Sequence, residues 1–256
     1  MFSPAVSHEL AVGIRECGVS EQSINPRFHG AGVLDYDTRM PKRMPGYELL
    51  HLLTAAQMVE RLPAQARVLV VGAGTGQEIL RLARARPDWQ FTAADVSPDM
   101  LALAQQNFVK AGIADRVQLH AGPLEALNSG HNHDAALLIL VAHFVPHDGR
   151  KLRLLQEIAE RLSPGALLLM ADLMAPEDAW EWRVYKRACM ELGLPEDTAD
   201  AALKGFAEDF HPLNEIESES LLTASGFDLP KTYFRALGFR AFATVLRCSP
   251  APVDTH

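Results

Sequence analysis

The chain has 256 residues, 48% hydrophobic and 22% charged, with a formal net charge of −8 and a pI near 5.7. That balance suits one large α/β domain with an appended element and leaves enough apolar residues for a core. It offers no basic face of the kind phosphate contacts require, so nucleic acid is disfavoured as a partner; Arg81, Arg84 and Arg86 cluster only as a solvated helix face would.

Residues 1–30 lack periodicity and read as a loose lead-in. The stretch 36–43 is polar and runs into Pro45-Gly46. A helix is predicted from Tyr47, with Leu49, Leu50, Leu53, Ala56 and Val59 mostly on one face, and Pro63 ends it. Strands and helices then alternate. Strands are predicted at 68–71, 91–94, 117–120, 135–141 and 166–171, and helices at 78–86, 100–111 and 150–162. Ser97 is a helix cap, Pro98 suits the first helical position, and Gly112 is a stop. The fourth strand is unbroken in its apolar content and is expected to be buried on both faces. Ser163-Pro164-Gly165 is read as the end of the preceding helix.

Residues 176–212 hold no convincing strand and are read as two or three helices, with Trp180, Trp182, Tyr185, Met190 and Leu194 as apolar points. A helix at 215–224 stops at Gly226. Strands at 231–237 and 239–246 close the chain around a tight turn at Gly238, and 249–256 reads as a flexible tail. The expected architecture is a Rossmann-like, doubly wound, mostly parallel seven-stranded sheet with a C-terminal antiparallel hairpin and a helical lid insert. The expected organisation is an N-terminal cap segment and helix at 1–62, a main domain at 63–248 and the lid at 176–212.

Val71 is followed by Gly72-Ala73-Gly74-Thr75-Gly76, a glycine turn between a strand and a helix. Such a turn lets backbone approach a ligand at a helix N-terminus. Asp95 follows at the tip of the next strand, 19 residues after Gly76. In a doubly wound sheet both elements meet at the crevice outside the strand ends, where a carboxylate can accept from two ribose hydroxyls. The dinucleotide pattern GxGxxG is broken, because Gln77 stands where its third glycine belongs, so a nicotinamide dehydrogenase is the weakest reading.

From Val68 to Ala171 the chain resembles the class I S-adenosylmethionine-dependent methyltransferase core. The resemblance rests on Gly72-Ala73-Gly74-Thr75-Gly76, on Asp95-Val96-Ser97-Pro98-Asp99-Met100, on Leu162-Ser163-Pro164-Gly165-Ala166-Leu167 and on the closing hairpin. Tyr36-Asp37 with Pro45-Gly46-Tyr47 resembles a segment that closes over the cofactor in one branch of that family, which includes carboxy-S-adenosylmethionine synthases. The resemblance implies S-adenosylmethionine as cofactor, with S-adenosylhomocysteine as product. It puts the cofactor contacts at Tyr36, Tyr47, Gly72, Ala73, Gly74, Gly76, Asp95, Val96, Met100, Leu124 and Val141. The family often has an acid where Val70 stands and another where Gly122-Pro123-Leu124 stands. Adenine is therefore expected to rest on backbone groups and against Val96 and Leu124.

Methyl transfer is an in-line displacement in which the protein chiefly positions and desolvates. His143 follows the fourth strand at the strand ends and is the candidate catalytic base, with a structural histidine as the alternative. Trp180, Trp182, Tyr185, Tyr233 and Phe234 are candidates for an aromatic pocket, with core packing as the alternative. His131-Asn132-His133-Asp134 has no third ligand nearby, so no metal is expected. The expected activity is methyl transfer to a small molecule. The alternatives are a cofactor-modifying synthase related to carboxy-S-adenosylmethionine synthase, for which Lys204-Gly205-Phe206 lacks the lid arginine, and a non-catalytic cofactor-binding protein. Cys17, Cys189 and Cys248 form no CxxC, and no run is apolar enough to span a bilayer. A cytoplasmic protein is expected, without a membrane partner and with a homodimer as the candidate assembly.

Overall fold

The computed structural model describes residues 28–130, 132–175 and 178–248. Three helices come first: α1 (Ala31–Leu34), α2 (Tyr36–Arg43) and α3 (Tyr47–Arg61). The alternating core follows as β1 (Arg67–Val71), α4 (Gln77–Ala85), β2 (Gln90–Asp95), α5 (Pro98–Ala111), β3 (Val117–Ala121), β4 (His133–Ile139), α6 (Arg150–Ala159) and β5 (Leu162–Leu173). Then come α7 (Ala179–Glu191), α8 (Glu196–Asp209), α9 (Glu215–Ala224), β6 (Lys231–Ala236) and β7 (Phe239–Val245). The seven strands form one sheet in the order β3-β2-β1-β4-β5-β7-β6. β1 to β5 are parallel, and β7 runs antiparallel to both of its neighbours. This is the expected Rossmann-like α/β architecture with its closing hairpin.

Side-chain alternation along the strands builds two apolar layers. Val68 and Val70 of β1 face the layer shared with α3, α4 and α5, where Leu50, Met58, Ile79, Leu82 and Phe108 are fully buried or nearly so. Leu69 and Val71 face the other layer, with Leu155 and Ile158 of α6 and Leu222 of α9. The order reverses between β1 and β4, so the carboxyl ends of β1, β2, β4 and β5 frame one crevice. Ser97 Oγ accepts from Met100 N (3.2 Å) and Gly112 takes the left-handed conformation, as the cap and stop reading requires.

Four local features differ from expectation. The polar stretch 36–43 is a helix despite Pro41 in its interior. Helix α6 stops at Ala159, and Ser163-Pro164-Gly165 belongs to β5. The β4–β5 register shifts between His133 and Ala135, opposite Leu162 and Leu167. The proline therefore sits in an irregular stretch, where a missing N–H costs little. The hairpin's left-handed residue is Leu237 (φ 50°), not Gly238. Gly238 serves close approach: its carbonyl accepts from Met174 N at 2.7 Å, and a Cβ there would lie 3.3 Å from Leu173 Cδ1. Finally, β4 begins at His133, whose imidazole is buried and contacts Thr92 Oγ1 and the Arg161 carbonyl, each at 3.0 Å. Burial pushes its pKa down. His133 is thus a neutral internal hydrogen-bonding group, and no cluster of metal-binding side chains occurs among the described residues. His131, the 1–27 lead-in and the 249–256 tail lie outside the described residues. No helix among those described is long and apolar enough to cross a membrane.

Candidate active site

A cavity of about 590 Å³ occupies the crevice. Its floor is the glycine turn after β1 and the tip of β2. Gly72 N and Ala73 N both donate to Ala94 O, at 2.8 and 3.0 Å. Gly74 N donates to Asp95 Oδ2 and Ser97 N to Asp95 Oδ1, each at 2.8 Å. Asp95 therefore fixes the turn before it meets any ligand. An ionised carboxylate has about four lone-pair positions, so both oxygens can still accept from hydroxyls. Burial pushes the Asp95 carboxyl above its usual range, while the N–H groups of Ser97, Gly74 and Val96 pull it back.

The glycines have separate reasons. A Cβ on Gly72 would come within 2.3 Å of Val141 Cγ2, and one on Gly76 within 2.4 Å of the Phe108 ring. A Cβ on Gly74 would meet no side chain, only Gly72 O at 4.0 Å. Gly74 is left open on the ligand side, whereas Gly76 lets α4 approach α5.

Tyr36, Gly72, Gly74, Asp95, Val96, Met100, Leu124 and Val141 line the cavity as expected. Tyr47, Ala73 and Gly76 do not. Tyr47 stands behind Tyr36 with its ring 4.3 Å from His51. Burial, then Glu78 and Tyr36, pushes its hydroxyl pKa well up. Burial does the same to Tyr36, helped by Glu78, Asp95 and Asp37. Gly122 and Leu124 form the wall where an acid was absent from the sequence, and exposed Val96 belongs to the same lining.

Residues 28–43 strap this floor from above. Ser97 Oγ donates to Phe28 O (2.6 Å) and Gly30 N to Asp99 Oδ2 (2.9 Å). Asp37 accepts from Thr75 Oγ1 (2.5 Å) and Gln77 Nε2 (2.8 Å), tying α2 to the start of α4.

A second, smaller cavity of about 70 Å³ adjoins the first. Phe28, Tyr36, Leu140 and Phe144 line both. His143 is on the wall of the smaller one. Its Nδ1 and its backbone N–H both contact Asp172 Oδ1, the latter at 3.2 Å, and both side chains are buried. Lys151, also buried, donates to Ala142 O; burial pushes its pKa down while Asp172 pushes it up. Leu140, at the end of β4, is held at φ 59°, a costly conformation for a branched side chain.

The stretches expected to flank one cleft do meet here: Arg39, Met40 and Arg43 of α2 face Ala202 and Phe206 of α8, and Phe210 follows directly after that helix. Tyr185 of α7 donates to Arg43 O at 2.5 Å. The aromatic candidates do not line either cavity. Trp180 is exposed, Phe234 is buried in the core, Trp182 and Tyr185 pack behind Phe206, and Tyr233 Oη pairs with Thr54 Oγ1 at 2.8 Å. Phe28, Phe144, Phe206, Phe210 and Phe239 take that place. Sequence reading missed them and Asp172; the available signals were the four-residue spacing of Phe206 and Phe210 and a charged residue ending an apolar strand.

A family model described as a methyltransferase domain matches residues 68–165. The chain is 26% identical over 176 residues to a ribosomal protein L11 methyltransferase of Trichlorobacter lovleyi, covering 66% of this chain and 54% of that one. It is 21% identical over 212 residues to a carboxy-S-adenosyl-L-methionine synthase of Campylobacter hominis, covering 81% and 88%. The crystal structure of a putative O-methyltransferase from Nostoc punctiforme shares the fold, with a TM-score of 0.63, 18% identity and coverage of 95% of this chain and 69% of that one. Residues 68–165 are thus similar to a methyltransferase domain, and the fold around them is shared with methyltransferases. The chain spans about half the length of the first curated relative (54%), and 36% and 58% of two further ones. Such methyltransferases use S-adenosylmethionine as donor, and the larger cavity suits it: glycine backbone open on the cavity side, a carboxylate at the β2 tip, and apolar Val96 and Leu124 in the lining.

Proposed function

We propose that the chain transfers a methyl group from S-adenosylmethionine to a hydroxyl oxygen of a small molecule, with His143 as the proton acceptor. The observation that carries this reading is the buried His143–Asp172 pair, with His143 on the wall of a cavity that shares Phe28, Tyr36, Leu140 and Phe144 with the larger crevice. Bound S-adenosylmethionine supplies an electrophilic methyl on a positively charged sulfur and leaves as S-adenosylhomocysteine. Asp95 accepts from the ribose hydroxyls. Leu124, Val96 and Met100 give the adenine an apolar slot. Asp172 holds the proton on His143 Nδ1, which leaves Nε2 as the basic nitrogen, and it stabilises the imidazolium once Nε2 has taken the acceptor's proton. Phe144, Phe206 and Phe210 exclude water from that transfer.

The cofactor-modifying reading has less support. No basic side chain of α7 or α8 lines the smaller cavity, and Lys204 points outward to Glu208 at 3.7 Å. Two arginines of α2, Arg39 and Arg43, do line it, and Arg39 is engaged by Asp35 and by Gly32 O.

The test measures S-adenosylhomocysteine release over a panel of hydroxylated small molecules, beside calorimetry for the cofactor. His143→Ala is expected to lower turnover by about 10²–10⁴, the usual worth of a general base, with cofactor affinity unchanged. His143→Gln is expected to restore acceptor binding but little rate. Wild-type turnover by both variants on a methylated substrate refutes the role of His143.

A further inference from the structure

The smaller cavity has an unusual wall for a polar reaction. The His143 ring lies 4.2 Å from the Phe144 ring and 4.6 Å from the Phe210 ring, centroid to centroid. Phe210 also lies 4.8 Å from Phe144, at 81°, and 4.9 Å from Phe206, at 33°. Phe28 meets Phe144 edge-on at 5.2 Å, and Phe239 completes the lining. The base is therefore boxed by aromatic faces and edges, in the spacing and tilts that rings prefer among themselves. Phe210 leaves the end of α8 in an extended conformation, so its ring covers the base from the lid side.

The base itself narrows the acceptor chemistry. Proton transfer is efficient when donor and acceptor are not far apart in pKa. A phenol gives up its proton at about 10, whereas an alkanol, like water, holds its proton to roughly 16, so the phenol is the easier proton donor to a neutral nitrogen base.

We propose that the acceptor is a phenol: a flat aromatic ring whose hydroxyl faces His143 Nε2 and whose ring lies against Phe144, Phe206 and Phe210. This rests on the methyl-transfer reading above and names its substrate class. As the phenolic oxygen bonds to the methyl carbon, the carbon–sulfur bond breaks with its electron pair going to sulfur, and the phenolic proton passes to Nε2. Phe206 and Phe210 act as specificity determinants, because a puckered or branched alcohol of equal size cannot lie flat against their rings.

The test compares 4-methylphenol with 4-methylcyclohexanol, which have the same carbon skeleton, on protein saturated with S-adenosylhomocysteine. Binding is followed by ligand-observed NMR, so no turnover is needed. The phenol is expected to bind at least tenfold more tightly. Phe206→Ala and Phe210→Leu are each expected to erase most of that preference while leaving S-adenosylhomocysteine affinity unchanged; Phe210→Leu keeps the volume and guards against loss of fold. Equal binding of the two probes, no binding of the phenol, or an undiminished preference in both folded variants overturns the proposal. If the phenol preference holds but the phenol and S-adenosylmethionine give no S-adenosylhomocysteine, or give it equally with His143→Ala, the aromatic seat stands and the reading of His143 as base falls.

Discussion

Gly76→Ala separates the two reasons for a glycine in this turn. Gly76 has φ +82°, and its added Cβ would lie 2.4 Å from two atoms of the Phe108 ring and 3.5 Å from Ala104 Cβ. The left-handed backbone costs a non-glycine residue about 1–2 kcal/mol. Forcing a methyl against a fully buried ring adds about 1–3 kcal/mol, because Phe108 has no free space to yield into. The sum, about 2–5 kcal/mol, corresponds to a fall in Tm of roughly 4–20 °C at this size. Gly112→Ala is the internal control: it shares a positive φ, +69°, but its Cβ would meet nothing within 4 Å, so only the first cost of about 1–2 kcal/mol applies. Urea unfolding of both variants gives the difference. Adding Phe108→Leu to each closes a double-mutant cycle, which should recover about 1–3 kcal/mol with Gly76→Ala and nothing with Gly112→Ala. Equal destabilisation by Gly76→Ala and Gly112→Ala, with no coupling to position 108, refutes the packing argument.

Other outcomes follow from the same geometry. Asp95→Ala should weaken S-adenosylmethionine binding by about 2–3 kcal/mol, since two hydroxyls lose a charged acceptor; unchanged calorimetry removes Asp95 from the site. Because burial raises the Asp95 pKa, its carboxylate takes up a proton earlier on acidification than an ordinary aspartate. Cofactor affinity should therefore fall as pH drops through a value above 3.8, and a flat profile through pH 4 argues against an ionised partner. Gly74→Val should abolish cofactor binding in a folded protein, since its side chain enters the open side of the turn; circular dichroism beside calorimetry checks both halves. Asp37→Ala should loosen α2 from Thr75 and Gln77, which predicts faster hydrogen exchange over 28–43 and no change in the sheet.

What the sequence disclosed was local. Val68 to Gly76, the Ser97 cap, the Gly112 stop and the doubly buried β4 each follow from neighbours in the chain, and each appears as expected. Asp172 was hidden because its role depends on the ends of β4 and β5 lying side by side, 29 positions apart in sequence. The phenylalanine wall was hidden likewise: its rings come from the strap, the turn after β4, the lid and β7. Trp182 and Tyr185 sat in the correct segment but on the helix face turned toward the core. Tyr47 and Gly76 were assigned from the motif resemblance, and neither is in the cavity lining. The polar stretch 36–43 carries Pro41 and yet is helical, being a short helix tied down by Asp37.

Phe144 touches Phe28 on one edge and Phe210 on another. One ring is thus the common stop for the segment over the donor and for the segment over the acceptor. Swinging either segment away strips that ring of a partner and loosens its hold on the other. Exchange at the two cavities should then be kinetically linked: departure of one product speeds release of the second, and trapping one segment shut, with a cross-link for instance, slows both exits.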